Sequence, residues 1–410
     1  MNHRNRLSLF LGLIVITVIA SPSHHAQSKF VTVRGKEFIS PAGKPLLLKG
    51  INLGNWLLPE GYMFKFKSAN SPRLINTVIN QLIGEDEAKH FWREYRDNYI
   101  TLDDIRFIKQ SGFNSVRLPF NYRLFVSEGE PQTLDGPGYE LIDRAVAWCK
   151  QEGLFVILDM HAAPGGQTGD NIDDSWGYPF LFDSPESQDL AVKLWRKLAA
   201  RYAHDPTVIG YDLLNEPIAH YFESDNLEPK LEPLYRRIVT AIREVDPNHI
   251  VFLGGARWDT NFKVFGAPFD KKVAYTFHKY WMDVNQSAIQ EYVDFSNKHN
   301  VPVWMGESGE NTDAWIGSFR TLLESNNIGW CFWPYKKLDA TSCLVSINRP
   351  IDWDVIVGFA DHPRTTFEDV RKNRPPKEKI RKALRDYLDA IRFQNCRINQ
   401  GYLKALGMKK

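Results

Sequence analysis

Val208-Ile-Gly-Tyr-Asp-Leu-Leu-Asn-Glu-Pro217 begins as an apolar run and ends in a glutamate followed by a proline. The run has the length and composition of a strand buried on both faces, and Glu216 stands where that strand should end. A second stretch, Val301-Pro-Val-Trp-Met-Gly-Glu307, repeats the arrangement. Such a position is poorly solvated and rigidly held.

Outward from these two stretches the same pattern recurs. Apolar strand candidates fall at 46–53, 115–120, 154–160, 208–215, 249–254, 273–279, 301–306 and 329–334. Amphipathic helical patterns lie between most of them, at 102–110, 139–151, 188–202, 232–245, 289–298 and 313–325, and another follows at 375–393. Parallel neighbours require helical crossovers, so eight such units predict an α/β fold, a single (β/α)8 TIM barrel. A barrel of this kind needs about 250 residues. The surplus goes to loops at 57–101, 161–186 and 335–374, all on the C-terminal rim, and patterns within 73–98 give the first loop helices of its own. The runs 30–33 and 37–39 flank Arg34-Gly35 and predict a small N-terminal hairpin. One catalytic domain is expected over 30–395, with a C-terminal tail at 396–410.

The first 26 residues read as a signal peptide: Arg4 and Arg6, an apolar core from Leu7 to Ala20, then Ser21-Pro22-Ser23. That core is short for a membrane span, so a secreted or periplasmic protein is expected, with an uncleaved N-terminal anchor as the alternative. Lysine plus arginine number 51 against 49 acidic residues, a balance with no footprint for nucleic acid or an anionic membrane. The four cysteines permit three pairings, and the sequence does not choose among them. Cys149, in a helical pattern, and Cys331, in a strand, suit buried free thiols. No cysteine has metal-ligand spacing, and no HExxH, Ser-centred elbow or nucleotide-binding glycine frame occurs. No metal or cofactor is therefore expected, and a monomer is.

Two carboxylates on one barrel rim suit a general acid and a nucleophile flanking a glycosidic bond. The surrounding residues sharpen this reading. Lys49-Gly-Ile-Asn-Leu-Gly-Asn-Trp56, Ser115-Val-Arg-Leu-Pro119, Leu158-Asp-Met-His161, Leu214-Asn-Glu-Pro217, Phe277-His-Lys-Tyr280, Gly306-Glu307 and Trp333 resemble glycoside hydrolase family 5. The resemblance runs from about residue 30 to about 390. It implies Glu216 as acid/base and Glu307 as nucleophile, with Arg117 keeping the nucleophile ionised and Tyr280 donating a hydrogen bond to it. A core ion pair of Arg117 with Asp159 or Asp212 is the alternative. The same resemblance gives Asn215 the sugar 2-hydroxyl, and gives His161 and His278 sugar hydroxyls or the orientation of the acid/base. Trp333 becomes the aromatic floor beneath the sugar.

Asn55, Trp56, Trp176, Trp258 and Trp281 are further candidates for substrate binding. Glu310 reads as a charge at a helix start. The implied activity is retaining hydrolysis of a β-glucan or related β-linked glycan. Asn52-Leu-Gly-Asn-Trp56 and Tyr99-Ile-Thr-Leu-Asp-Asp-Ile105 resemble the exo-β-1,3-glucanase-like branch, and the long first loop would then close one end of the cleft. A transglycosylase on the same site and a catalytically inactive carbohydrate-binding barrel are the alternatives.

Overall fold

Eight parallel strands close a barrel in the computed structural model, which describes residues 29–127, 129–130 and 132–409. The expected signal peptide lies outside the described residues. The barrel strands are β1 (Lys49–Asn52), β2 (Ser115–Asn121), β3 (Phe155–Ala162), β4 (Val208–Asp212), β5 (Ile250–Gly254), β6 (Val273–His278), β7 (Val303–Gly309) and β8 (Gly329–Trp333). Each pairs with its neighbour in sequence, and β8 returns to β1 with Trp330 opposite Lys49. The expected barrel is therefore present.

Its helices form where amphipathic spacing meets a start signal. Pro185–Tyr202 is typical. The Ser184 side chain accepts from the Ser187 amide, proline occupies the first turn, and Leu190, Leu194, Trp195, Leu198 and Tyr202 are buried along one face. The connection from β5 to β6 is the exception, holding only a short turn at Ala256–Asp259 and a 3-10 turn at Phe262–Val264. Arg257, Trp258 and Asp259 have left-handed backbone there, which a regular helix cannot contain.

Below the rim the barrel is filled by side chains. Leu48, Ile157, Ile209, Ile250, Phe252, Ala274, Trp304 and Cys331 form a cluster that also takes in Val31 and Phe38 of the N-terminal hairpin. Phe38 stacks on Phe252, so the hairpin (Thr32–Arg34 and Glu37–Ile39) plugs the N-terminal end of the barrel. All four cysteines are free thiols, three of them buried.

The first rim loop carries helices Pro72–Ile83 and Glu85–Tyr99 and is clasped to the last one. The Trp353 indole donates to the Phe64 carbonyl, Lys65 Nζ to the Asp339 carbonyl, and Trp353 stacks on Tyr387 with centroids 4.2 Å apart. The segment after Cys396, expected as a tail, is packed onto the barrel. Its strand Arg397–Ile398 pairs with Val345–Ile347, and its helix Gln400–Ala405 lies against Asp313–Ser325. Tyr402, Leu403 and Leu406 are buried there because the apolar spacing of 400–406 has a face to cover.

Candidate active site

Alternation along a strand puts i, i+2 and i+4 on one face. Ile157, Asp159 and His161 thus climb from the filled floor of the barrel to its rim on β3, as Cys331 and Trp333 do on β8. Glu307 does not obey this rule. Trp304 points into the floor, so strict alternation would turn residue 307 outward. A register shift intervenes: Met305 is opposite Phe277, yet Glu307 is opposite His278, so β7 advances two residues for one on β6. The bulge re-aims the carboxylate into the mouth. Gly306 sits in it, where an added Cβ would lie 2.2 Å from Thr276 Oγ1.

Arg117 is the hub of the site and is fully buried. Its Nη1 donates to Glu307 Oε2 at 2.9 Å and Asn52 Oδ1 at 3.1 Å, and its Nε to Asp212 Oδ2 at 2.8 Å. Nη2 donates to Asn215 Oδ1 at 2.8 Å and lies 3.1 Å from Asp159 Oδ1. The two readings of Arg117 are thus both realised, since one guanidinium holds the core aspartates and the rim glutamate together. Burial opposes its charge, yet the three carboxylates raise its pKa. One cation cannot neutralise three buried anions, and burial pushes Asp159 and Asp212 each up to about 7 against the pull of Arg117.

Glu216 lies four residues past Asp212, with a left-handed backbone (φ 45°) that only the surrounding structure can hold. A Glu216 carboxylate oxygen, one from Glu307 and a His278 ring nitrogen lie within 4.8 Å of one another. Burial, then the negative charges of Glu307 and Asp259, hold the Glu216 carboxyl well above the usual carboxylate range. Burial raises Glu307 as well, but Arg117, His161 and the Tyr280 hydroxyl, 2.8 Å from Oε1, pull it down. A proton shared by the pair therefore rests on Glu216. Tyr280 stays a donor, because burial and the charge of Glu307 raise its phenol.

His278 meets Glu216 Oε1 at 2.9 Å through Nδ1 and Asp259 Oδ2 at 3.3 Å through Nε2. Burial lowers this histidine's pKa far below its ordinary value, so the ring is neutral. Asp259 also accepts from the Glu216 amide at 3.1 Å, fixing both ends of the acid. His161 lies behind Trp333, stacked at 5.5 Å, with Nδ1 on Asp159 at 2.7 Å and Nε2 on the Asn215 amide at 3.3 Å. Burial pushes its pKa down to about 3, and both nitrogens are committed to protein partners. Because Nε2 accepts from Asn215, Nδ1 carries the hydrogen.

The remaining candidates divide. Trp333 lines the mouth, its indole donating to Tyr62 at 2.7 Å. Trp176 and Trp281 are 71% and 73% exposed, and Trp281 donates to the Glu310 carbonyl at 3.2 Å. Trp258 is partly exposed and donates to His220. Asn55 and Trp56 do not face the mouth. Asn55 is buried, accepts from the Glu60 amide and contacts the Tyr99 hydroxyl, and the buried Trp56 indole donates to the Arg96 carbonyl. Both serve the internal core of the first loop, whose own helices need covering. Glu310 pairs with Lys337 across the rim, while Thr312 caps the following helix.

Sequence reasoning missed Asp259, Glu60 and Tyr62. Glu60 is 4% exposed with Oε1 unpartnered, and burial, then the charge of Glu307, raises its pKa well above the usual range. A lone acid within Trp56-Leu-Leu-Pro-Glu-Gly-Tyr-Met-Phe64 was the available signal. Glu216, His278 and Glu307 form a trio close enough to hold a cation, the one such group of His, Cys, Asp and Glu found among the described residues. Within it Glu307 already accepts from Arg117 and Tyr280, and Glu216 Oε1 meets His278 Nδ1.

The sequence profile described as Cellulase (glycosyl hydrolase family 5) matches residues 79–339, more than half of the chain. The chain belongs to glycosyl hydrolase family 5. It is a glycoside hydrolase of the glucanase and cellulase type. Similar family proteins include a beta-xylosidase of Phanerodontia chrysosporium, 27% identical over 78% of this chain and 73% of that one. Endoglucanase C of Acetivibrio thermocellus is 29% identical over 61% and 88%. The probable glucan 1,3-beta-glucosidase A of Aspergillus fumigatus is 30% identical over 50% of this chain and 49% of its own. Among solved structures, rutinosidase from Aspergillus niger aligns with a TM-score of 0.58 at 19% identity, covering 72% of this chain and 92% of that one. Thermotoga maritima Cel5A gives 0.52 at 18%, covering 80% and 97%. These structures share the barrel fold.

Proposed function

We propose that this family 5 enzyme is a secreted, retaining β-glycosidase that hydrolyses a β-glucan or related β-linked glycan, with Glu216 as acid/base and Glu307 as nucleophile. The observation that carries the reading is the approach of the two carboxylates to within 4.8 Å. Retaining glycosidases hold their carboxyl groups about 5 Å apart, whereas inverting ones leave room for a water between them.

In the first step a Glu307 oxygen attacks the anomeric carbon while Glu216 gives its proton to the leaving oxygen. A glycosyl-enzyme ester forms and the aglycone departs as an alcohol. Glu216, now ionised, takes a proton from water. The water oxygen attacks the same carbon, releasing the sugar and restoring the Glu307 carboxylate. Arg117 and Tyr280 stabilise that carboxylate as it departs, and Trp333 offers the sugar an apolar face.

The names of the relatives point to glucose- and xylose-containing β-linked glycans. The first loop supports action at chain ends or on short oligosaccharides, because Tyr62 links the edge of Trp333 to the side chains of Glu310 and Lys337. A cleft that accommodates a polymer through both ends in a substrate complex would overturn that part. Arg4, Arg6 and the apolar run after them support export, and N-terminal sequencing of the mature protein tests it.

The deciding experiment sets wild type beside Glu307→Ala on β-1,3, β-1,4 and mixed-linkage glucans, mannan and xylan. Wild type should cleave one of them, and the variant should be inactive until azide restores turnover with an inverted glycosyl azide as product. Activity that survives Glu307→Ala without azide would refute the assignment.

A further inference from the structure

A cavity of about 900 Å³ lies between the first and third rim loops and the helix Gly138–Glu152, lined by none of Glu216, Glu307 or Trp333. It lies toward the C-terminal end of the barrel, since Asn121 ends β2, Arg123 follows it, and Asp174 belongs to the third loop. Its walls are unusually cationic. On one wall Arg93, Arg96 and Arg144 lie close together with Asp97 and Glu140, and Asp97 is already bound to Arg144 at 2.7 Å. Burial lowers the pKa of the Arg96 guanidinium, and the positive charges of Arg93 and Arg144 add to that effect.

On the other wall Arg73 and Arg123 share the buried Asp174, at 3.8 Å and 3.3 Å. The Nε atoms of Arg73 and Arg144 are buried with no hydrogen-bond partner. Cationic side chains on two walls, Lys89 among them, thus outnumber the carboxylates of Asp97, Glu140 and Asp174 around one space that Trp92 also lines. A cavity of 300–1,000 Å³ suits a small organic ligand, and guanidinium forks select planar carboxylates. Cations on two separate walls call for more than one anionic group, and the apolar lining from Leu57, Trp92 and Leu141 favours a ring-bearing ligand over a bare ion.

We propose that this cavity is a second saccharide site, selective for an oligosaccharide that carries carboxylate groups, as a uronic acid does. The site is independent of the catalytic assignment and can be tested without turnover. Calorimetric titration of the full chain would use α-1,4-linked trigalacturonate, whose linkage a β-glycosidase does not cut. Maltotriose serves as the neutral α-1,4 control and inorganic phosphate as the bare anion.

Trigalacturonate should bind with salt-sensitive affinity, and maltotriose and phosphate at least about tenfold more weakly. Arg93→Ala and Arg123→Ala, one from each wall, should each weaken trigalacturonate by about tenfold, the scale of one lost charge-assisted hydrogen bond. Both side chains are exposed, and unchanged thermal unfolding would show that the variants fold. The proposal is overturned if trigalacturonate does not bind, if maltotriose binds as tightly, or if neither variant weakens it. Phosphate binding as tightly as the trisaccharide would also overturn it, in favour of a general anion site.

Discussion

At the scale of single residues, Arg117 shows how one side chain joins the core to the chemistry. Arg117→Met would leave Asp159, Asp212 and Glu307 facing one another without a cation. Removing one partner of a buried ion pair costs about 3–5 kcal/mol, so urea unfolding should shift by an amount of that order, with loss of turnover. A variant as stable as wild type would show that the carboxylates had already been neutral. Asp259 permits a subtler experiment. Burial holds the Asp259 carboxyl itself well above the usual range. Where it ionises its charge raises the Glu216 pKa, so Asp259→Asn should move the basic limb of the kcat profile to lower pH and reduce kcat more than it changes KM. A uniform loss with an unmoved limb would mean that Asp259 is merely structural. Glu216 and Glu307 were legible because an acid at the exit of an apolar run is conspicuous. Asp259 was not, because nothing in Ala256-Arg-Trp-Asp259 announces three successive left-handed residues. Asn55 and Trp56 misled because a long rim loop with its own core buries the same residue types that bind sugars.

At the scale of elements, the bulge in β7 and the closeness of β1 to β8 decide where the chemistry sits. Gly306→Ala places a methyl against Thr276, and β7 must shift to relieve it, turning Glu307 away from Tyr280. We expect kcat/KM to fall by at least about a hundredfold, the scale of an ångström's misplacement, while the unfolding transition remains cooperative. Gly54 lies against the Trp333 ring, where an added Cβ would sit 2.4 Å from the indole, so Gly54→Ala should raise KM by displacing the sugar floor. Unchanged kinetics in either variant would count against the assigned geometry. The clasp between first and last rim loops predicts that Trp353→Ala destabilises by about 3–5 kcal/mol, read as a lowered denaturant midpoint. Strand positions were legible to within a few residues, because parallel strands covered on both faces read as continuous apolar runs. The bulge was not, since periodicity describes regular strands and a bulge is a departure from it. Packing of the last residues also escaped notice, as 400–406 is too short to display a convincing helical face.

At the scale of the whole molecule, the buried ionisable groups set a pH dependence whose sign can be worked out. Asp159 and Asp212 titrate at about 7 in the folded protein, so the native state keeps protons that the unfolded chain releases from about pH 4 upward. Their contribution is full at low pH and is lost as pH rises through about 7. His161, lowered to about 3, acts oppositely: stability falls as pH drops below the ordinary histidine range. Between about pH 4 and 6.5 the two aspartates outweigh the one histidine, so thermal midpoints should decline from about pH 5 to pH 7 and then level off. A midpoint that rises from about pH 5 to 7 would contradict the protonated cluster. The barrel itself was readable because strand and helix periodicities alternate along nearly the whole chain. The missing fifth helix left only the absence of a pattern between residues 255 and 272.

The hairpin that plugs the barrel also anchors the start of the described chain at one pole. Lys29 reaches the His204 carbonyl and Phe30 packs edge-on against His249, both at the end where strands β4 and β5 begin. Whatever is joined ahead of Lys29 is attached at the pole opposite Trp333. Fixed to a bead, an electrode or a bilayer through that end, the molecule would stand with its mouth facing outward, toward soluble glycan and away from its support.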